Sequence, residues 1–257
     1  MDKLPLVIGN WKMELSHKSA GEVSSALKKM MLAVTYRADV VVCPSFPSLV
    51  AVCDMLQGSP VAVGAQNVHH EEKGAFTGSV SVGQLREFIT WCIVGHSEVR
   101  ASQGDTDTLV AQKANLLLSH GIRPIVCIGE TQEQHENEKT ISTISAQIDV
   151  LLASLDRVAL LKTAITYEPI WAIGTGKMPE PNEVYEVLLL IRKRIAEHFD
   201  IDLADRVHLL YGGSVQPSTV SPYIGGPGAD GVLVGGASLH PRDFIDIISQ
   251  VSVAYAR

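Results

Sequence analysis

The sequence has 257 residues, of which 46 % are hydrophobic and 19 % are charged, a balance typical of an ordered protein with a large core. Its formal net charge is −7 and it has no Lys/Arg-rich run, which argues against a nucleic-acid surface. No apolar run reaches the roughly 20 residues of a membrane span, and the start shows no signal-peptide pattern. We therefore expect no nucleic-acid or membrane partner.

The four cysteines form no C-x-x-C pair, and three of them lie in or at the end of apolar runs. This placement is typical of buried free thiols rather than of a disulfide framework or a metal site. Free thiols persist in a reducing compartment, so we expect a cytoplasmic protein.

Short apolar, β-branched runs recur along the whole chain. Continuous runs, rather than alternating ones, indicate strands that are covered on both faces, as in parallel sheets. There are eight such runs, at residues 5–9, 38–43, 61–65, 91–95, 124–129, 163–168, 206–212 and 231–236.

Amphipathic segments separate most of these runs, and residues 19–32, 105–119, 141–155 and 183–199 are predicted to be helices. Strands that alternate with helices imply right-handed β-α-β crossovers, and eight such units can close a sheet without an exposed edge. We therefore predict one α/β domain over residues 1–257, a closed eight-stranded parallel (β/α)8 barrel, in preference to an open doubly wound sheet.

Active sites of such barrels lie at the carboxyl ends of the strands, where this chain places Lys12, His96, Glu168 and two glycine-rich turns at 211–214 and 235–236. Singly, a lysine is usually solvated, a histidine is more often structural, and a strand-end glutamate is as often an ion-pair partner as a base. Together they offer a base, an imidazole donor, a cation and two phosphate cradles. Proton transfer beside a carbonyl needs that set.

The segment after Glu168, residues 169–177, is predicted to be a mobile lid. Pro169 restricts one hinge, and Trp171 and Ile173 give an apolar underside. Gly174 and Gly176 let backbone N–H groups approach a phosphate closely. A passive glycine-containing connection would explain the glycines but not an exposed tryptophan.

Motifs along nearly the whole chain resemble those of the triosephosphate isomerase family, in the same order. They are NWKM at 10–13, GAQN at 64–67, GAFTG at 74–78, VGHSE at 94–98, CIGE at 127–130, YEPIWAIGTGK at 167–177, YGGSV at 211–215 and LVGGASL at 233–239. The lid motif is the most specific of them. The resemblance implies an enzyme of glycolysis and gluconeogenesis that interconverts dihydroxyacetone phosphate and D-glyceraldehyde 3-phosphate through an enediolate.

By this resemblance Glu168 is the general base, and the closed lid strengthens it by excluding water. His96 polarises the carbonyl as a neutral imidazole, because the helix N-terminus at which it lies disfavours a positive charge. Lys12 supplies positive charge, Asn10 is a further donor, and Glu98 is the expected partner of Lys12.

The resemblance also places the substrate phosphate on the N–H groups of Gly174, Ser214, Gly235 and Gly236. It implies neither a cofactor nor a metal. Cys127 and Glu130 belong to matching motifs, but we interpret both as structural or supporting residues.

The GAFTG segment matches the family's long third loop, which docks into a neighbouring subunit. The resemblance therefore implies a homodimer with Thr77 at the loop tip, and an ordered loop on a monomer is the alternative. The usual arginine after GHSE is Val99 here, which leaves Arg100 alone to form an interface or scaffold salt bridge.

A second departure concerns the far hinge of the lid, Lys177-Met178-Pro179. In the family, the tyrosine that matches Tyr211 holds the closed lid by bonding a backbone N–H at the position of Pro179. Proline has no N–H, so we expect this contact to be missing here.

Three other functions remain possible for these residues. Two are enzymes on the same fold, a phosphosugar epimerase and a Schiff-base aldolase that uses Lys12. The third is a phosphate-binding or scaffolding protein without turnover, which we weigh least because no catalytic position is replaced.

Overall fold

The computed structural model describes residues 3–226 and 228–255. Eight strands alternate with helices along them. The strands are β1 Leu6–Asn10, β2 Asp39–Cys43, β3 Val61–Ala65, β4 Trp91–Val94, β5 Arg123–Ile128, β6 Ala164–Tyr167, β7 His208–Tyr211 and β8 Gly231–Val234. Each overlaps one of the predicted apolar runs, with Asn10 and Arg123 lying one residue outside theirs.

Although seven of them lie outside the segments predicted to be helices, the α-helices of the described residues include one at each of the four predicted segments. They are α1 His17–Ala33, α2 Leu49–Leu56, α3 Val82–Leu85, α4 Ser97–Gln103, α5 Asp107–Ser119, α6 Gln132–Glu136, α7 Thr140–Ser154, α8 Arg157–Leu161, α9 Pro181–His198, α10 Ile201–Arg206 and α11 Pro241–Ala254. Short 3-10 helices lie at Phe46–Ser48, Ile170–Ala172, Ser221–Tyr223 and Gly236–Leu239. In the described part of the chain, no helix is both long and apolar enough to cross a membrane.

The sheet closes on itself. Consecutive strands pair in parallel from β1 to β8, and β8 returns to pair with β1, where Leu6 lies opposite Gly231. The predicted closed (β/α)8 barrel is therefore confirmed, and the open sheet is not formed. That residues 1–257 make a single domain stays a prediction.

Burial is divided between two layers. A smaller cluster, which includes Leu6, Ile8 and Ala164, fills the barrel interior, and a larger one joins the outer strand faces to the helices. Because side chains alternate along a strand, Asn10 shares the inward face of Leu6 and Ile8. Glu168, four residues after Ala164, shares that strand's inward face, so both polar groups lie at the barrel mouth.

Arg100 is the scaffold residue that the sequence predicts in the absence of an arginine at position 99. Its guanidinium lies 2.7 Å from Asp107 Oδ1, and it donates to the carbonyls of Gly95 and Cys127. These contacts tie the end of β4 to α5 and β5, which fixes the backbone beside His96.

Candidate active site

A cavity of about 330 Å³ opens at the carboxyl ends of the strands. It brings together all eight predicted site residues: Asn10, Lys12, His96, Glu168, Gly174, Ser214, Gly235 and Gly236. Six further lining residues were not predicted as site residues: Gly212, Gly213, Val215, Gln216, Leu233 and the lid residue Ile173. The cavity is polar on one side and bounded by glycine turns on the other.

Glu168 follows β6 and is only 2 % exposed. Its Oε2 accepts a hydrogen bond from the Ser97 N–H at 3.1 Å, and its Oε1 lies 3.2 Å from His96 Nε2. A methyl group added at Gly212 would lie 3.1 Å from Glu168 Cγ and 2.6 Å from Thr166 Cγ2. The absence of a side chain at Gly212 therefore makes room for the carboxylate.

His96 owes its position to the preceding glycine. Gly95 adopts a φ of +70°, and a side chain there would also collide with Val110 at 2.8 Å. His96 caps α4, and its Nδ1 accepts from the Glu98 N–H at 3.3 Å. A ring nitrogen that accepts carries no proton, so this hydrogen bond places the ring proton on Nε2, which faces Glu168.

Lys12 has a left-handed backbone, with φ +48°, which is uncommon for a residue with a side chain. The strain is held by two hydrogen bonds: the Lys12 N–H donates to Asn10 Oδ1 at 3.1 Å, and Gln66 Nε2 donates to the Lys12 carbonyl at 2.8 Å. Nζ lies 2.5 Å from Glu98 Oε1, as the sequence predicts. Such strain is typical of residues whose placement matters for function.

The glycine turns bring backbone groups close to this lysine. A methyl group at Gly235 would lie 3.6 Å from Lys12 Cε, and the 3-10 helix Gly236–Leu239 begins at the same place. Backbone N–H groups at the start of a helix and ammonium groups are both groups to which anions bind in proteins. Ser214 Oγ donates instead to the lid, at the Ala172 carbonyl 3.1 Å away.

The near part of the lid is bound to a buried carboxylate. Trp171 Nε1 donates to Glu130 Oε1 at 2.8 Å, and the Tyr167 O–H donates to the same oxygen at 3.1 Å. Trp171 is half-buried and stacks on His135 at 4.2 Å, so the expectation of an exposed tryptophan was wrong. Burial raises the pKa of Glu130, which lies outside the cavity and supports the lid.

The cysteines take no part in the cavity. Cys43, Cys92 and Cys127 are buried, Cys53 is half-buried, and all four are free. Burial, and then the neighbouring Glu168, raise the pKa of Cys127, which disfavours a thiolate. The structural interpretation of Cys127 agrees with this environment.

Ser97 and Gln216 are among the residues of the site that the sequence analysis did not predict. Ser97 acts through its backbone N–H, which no side-chain pattern signals, and Gln216 is not part of a matching motif. The expected loss of the family's lid contact agrees with the structure, because Tyr211 O–H makes no hydrogen bond to the lid.

Comparison with known proteins identifies the family. The triosephosphate isomerase family model matches residues 5–251. A triosephosphate isomerase of Clostridium perfringens is 42 % identical over 248 residues, covering 96 % of this chain and 99 % of the relative. One of Clostridium botulinum is 43 % identical over 245 residues, covering 95 % and 98 %, and one of Roseiflexus sp. is 39 % identical over 249 residues, covering 96 % and 97 %.

These matches extend over nearly the full length of both partners in each comparison. The chain is an isomerase of glycolysis that interconverts dihydroxyacetone phosphate and D-glyceraldehyde 3-phosphate. The epimerase, the aldolase and the protein without turnover are thereby set aside. The chain belongs to the triosephosphate isomerase family.

Proposed function

We propose that Glu168, His96, Lys12 and Asn10 carry out this isomerisation. One observation supports the assignment above all others: the Glu168 carboxylate and His96 Nε2 lie 3.2 Å apart in one cavity that Lys12 also lines. A substrate between them would have its carbon-bound proton beside a base and its carbonyl oxygen beside a donor.

The proposed reaction begins when Glu168 leaves the Ser97 N–H and turns toward the substrate. It takes a proton from the carbon beside the carbonyl, the electron pair of that C–H bond becomes a C=C bond, and the π pair of the carbonyl moves onto its oxygen to give an enediolate. The Nε2–H of His96 stabilises the oxygen as charge develops, with Lys12 and Asn10 as further donors. Protonated Glu168 then returns the proton to the neighbouring carbon. At the same time His96 gives its Nε2 proton to the former carbonyl oxygen and takes the hydroxyl proton from the other oxygen, which becomes the new carbonyl.

The substrate phosphate is proposed to rest on the N–H groups of Gly174, Ser214, Gly235 and Gly236, near Lys12. This assignment is supported by the glycine turns, which leave the backbone open toward the cavity. Closing the lid excludes water, which strengthens these interactions and protects the enediolate from losing phosphate. The proton moves within one substrate, so these residues need neither a cofactor nor a metal.

A coupled assay with D-glyceraldehyde 3-phosphate tests the role of Glu168. Glu168→Asp draws the carboxylate back from the substrate by more than 1 Å, so we expect kcat to fall by about a hundredfold or more. Glu133→Asp makes the same change on the exposed surface of α6 and should leave kcat unchanged. Wild-type turnover in the Glu168 variant would rule out this residue as the base.

We also propose a homodimer formed through the loop that contains Thr77. Beside this exposed loop lies a groove of about 610 Å³, larger than the active-site cavity, whose lining includes Phe46 and Gln66. Phe76 is 43 % exposed, and Met13, which follows Lys12, is 95 % exposed. A partner loop in the groove would cover apolar surface and brace Gln66, which holds the Lys12 carbonyl.

Analytical ultracentrifugation tests the dimer. The wild type should sediment at about twice the 27.7 kDa mass of one chain. Thr77→Arg adds a buried charge to the proposed interface and should yield monomers with lower activity, because Gln66 and Lys12 lose their support. Thr35→Arg, on the exposed loop after α1, is the control. A monomeric wild type would contradict the proposal.

We also propose a cytoplasmic location, which rests on the state of the cysteines. The four cysteines are free, which suits a reducing compartment.

A further inference from the structure

The far end of the lid is attached to the barrel by a side chain from another loop. Residues 174–178 are exposed, but Pro179 is buried, and its carbonyl accepts a hydrogen bond from the Tyr223 O–H at 2.7 Å. Tyr223 is itself buried and ends the 3-10 helix Ser221–Tyr223 in the connection between β7 and β8. The hydrogen bond therefore joins the far hinge to the loop that follows the glycine-rich turn at 211–214.

Proline at position 179 explains why the contact has this polarity. Its only backbone hydrogen-bonding group is the carbonyl, because proline has no N–H. A buried carbonyl without a partner costs free energy, and a tyrosine hydroxyl can donate to it. Tyr223 is therefore chemically matched to a hinge that offers an acceptor and no donor.

Tyr211 supports the ring of Tyr223 without touching the hinge by a hydrogen bond. The two rings stack with centroids 4.4 Å apart and an angle of 20°. Tyr211 is itself confined, because even a methyl group at Gly213 would lie 2.1 Å from its hydroxyl oxygen. The stack holds Tyr223 in the orientation that reaches Pro179.

The chain immediately after Pro179 is equally well fixed. Glu180 caps α9 in a capping box with Glu183, and Pro181 occupies the first turn of the helix. The hydrogen bond from Tyr223 extends this rigid boundary by one residue. The freely exposed part of the lid consequently ends at Met178.

We propose that Tyr223 is a positioning residue that anchors the far hinge of the lid. The inference rests on the proposed role of the lid in shielding the enediolate. Anchoring one end of the segment reduces the number of open conformations and so favours closure. Without the anchor, the closed lid is less populated, and the intermediate is more often exposed to water.

Tyr223→Phe tests this because it removes the hydroxyl and keeps the stacked ring. We expect kcat to fall about tenfold, which corresponds to about 1.4 kcal/mol of barrier, with little change in KM. The inorganic phosphate released per turnover, which reports loss of phosphate from the exposed enediolate, should rise by about the same factor. Both quantities can be measured with dihydroxyacetone phosphate as the substrate.

Tyr255→Phe is a matched control. Its hydroxyl also donates to a backbone carbonyl at 2.7 Å, that of Ala229, in the same β7–β8 connection as Tyr223, and the substitution leaves the hydrogen bond to Pro179 intact. This variant should have a similar loss of melting temperature but the phosphate release of the wild type. If both variants release phosphate equally, or if Tyr223→Phe lowers only the melting temperature, Tyr223 does not position the lid.

These experiments distinguish a failure of the Tyr223 proposal from a failure of the proposed role of Glu168. Full activity of Glu168→Asp would refute the assignment of the base whatever Tyr223 does. If Glu168→Asp is impaired but Tyr223→Phe has the kcat and phosphate release of the wild type, the proposed active site stands and the anchoring role of Tyr223 is refuted.

Discussion

The two ends of the lid are attached to the barrel by different kinds of contact. At the near end, the backbone N–H groups of Glu168 and Ile170 donate to the carbonyls of Ile128 and Glu130, and Trp171 adds its indole N–H to the Glu130 carboxylate. At the far end, Pro179 only accepts, and it does so from Tyr223, 44 residues along the chain.

This difference separates two tasks. The near end continues from β6 and is bound to the end of the adjacent β5, so it moves little relative to the barrel and keeps Glu168 in place. The far end has one side-chain hydrogen bond before α9 begins, which sets where motion stops. We therefore expect changes near Glu168 to act on proton transfer, and changes near Pro179 to act on shielding.

Of the substitutions that test this difference between the two ends, Gly212→Ala at the near end is expected to lower kcat the most. The new methyl group would press on Thr166 and on the side chain of Glu168 and displace the carboxylate. Since a displacement of about 1 Å can cost a hundredfold in rate, kcat should fall by about that factor. Phosphate release per turnover should stay that of the wild type, because the lid still closes.

Gly21→Ala is the control for this substitution, because a methyl group at Gly21 in α1 meets no atom within 4 Å. Steady-state kinetics of both variants decide the matter. A Gly212→Ala enzyme with normal kcat would mean that the carboxylate tolerates displacement, and the near end would lose its assigned task.

The smallest effect is expected from Tyr211→Phe. The hydroxyl of Tyr211 makes no bond to the lid, and phenylalanine retains the stack on Tyr223, so kcat should fall less than about threefold. A fall of about a hundredfold, near 2.7 kcal/mol of barrier, would show that the family's contact persists in another form. Comparing kcat of Tyr211→Phe with that of Tyr223→Phe then shows which of the two hydroxyl groups holds the far hinge.

Much of this molecule could be predicted from local patterns. The eight strands were recognisable because each is a short continuous apolar run, and α9 because its buried positions repeat with the helical period. The gathering of Lys12, His96 and Glu168 followed from the geometry of a parallel barrel, which brings all strand ends to one face.

The remaining features depend on contacts that no local pattern specifies. The Ser97 N–H that holds Glu168 could belong to any residue, since it is a backbone group. The left-handed conformation of Lys12 depends on Gln66, 54 residues away. The absence of a donor at Pro179 was evident in the sequence, but its replacement by Tyr223 required the packing of a distant loop.

Hydrogen exchange into the substrate tests the central claim most directly, because it follows the proton that Glu168 is proposed to move. Dihydroxyacetone phosphate incubated in D2O should gain deuterium at carbon in the presence of the wild-type enzyme. Glu168→Gln keeps the shape and the acceptor for the Ser97 N–H but removes the base, so the exchange rate should fall by about a thousandfold. Glu98→Gln, the other carboxylate in the cavity, should retain far more exchange. Exchange at the wild-type rate in a folded Glu168→Gln enzyme would contradict the account.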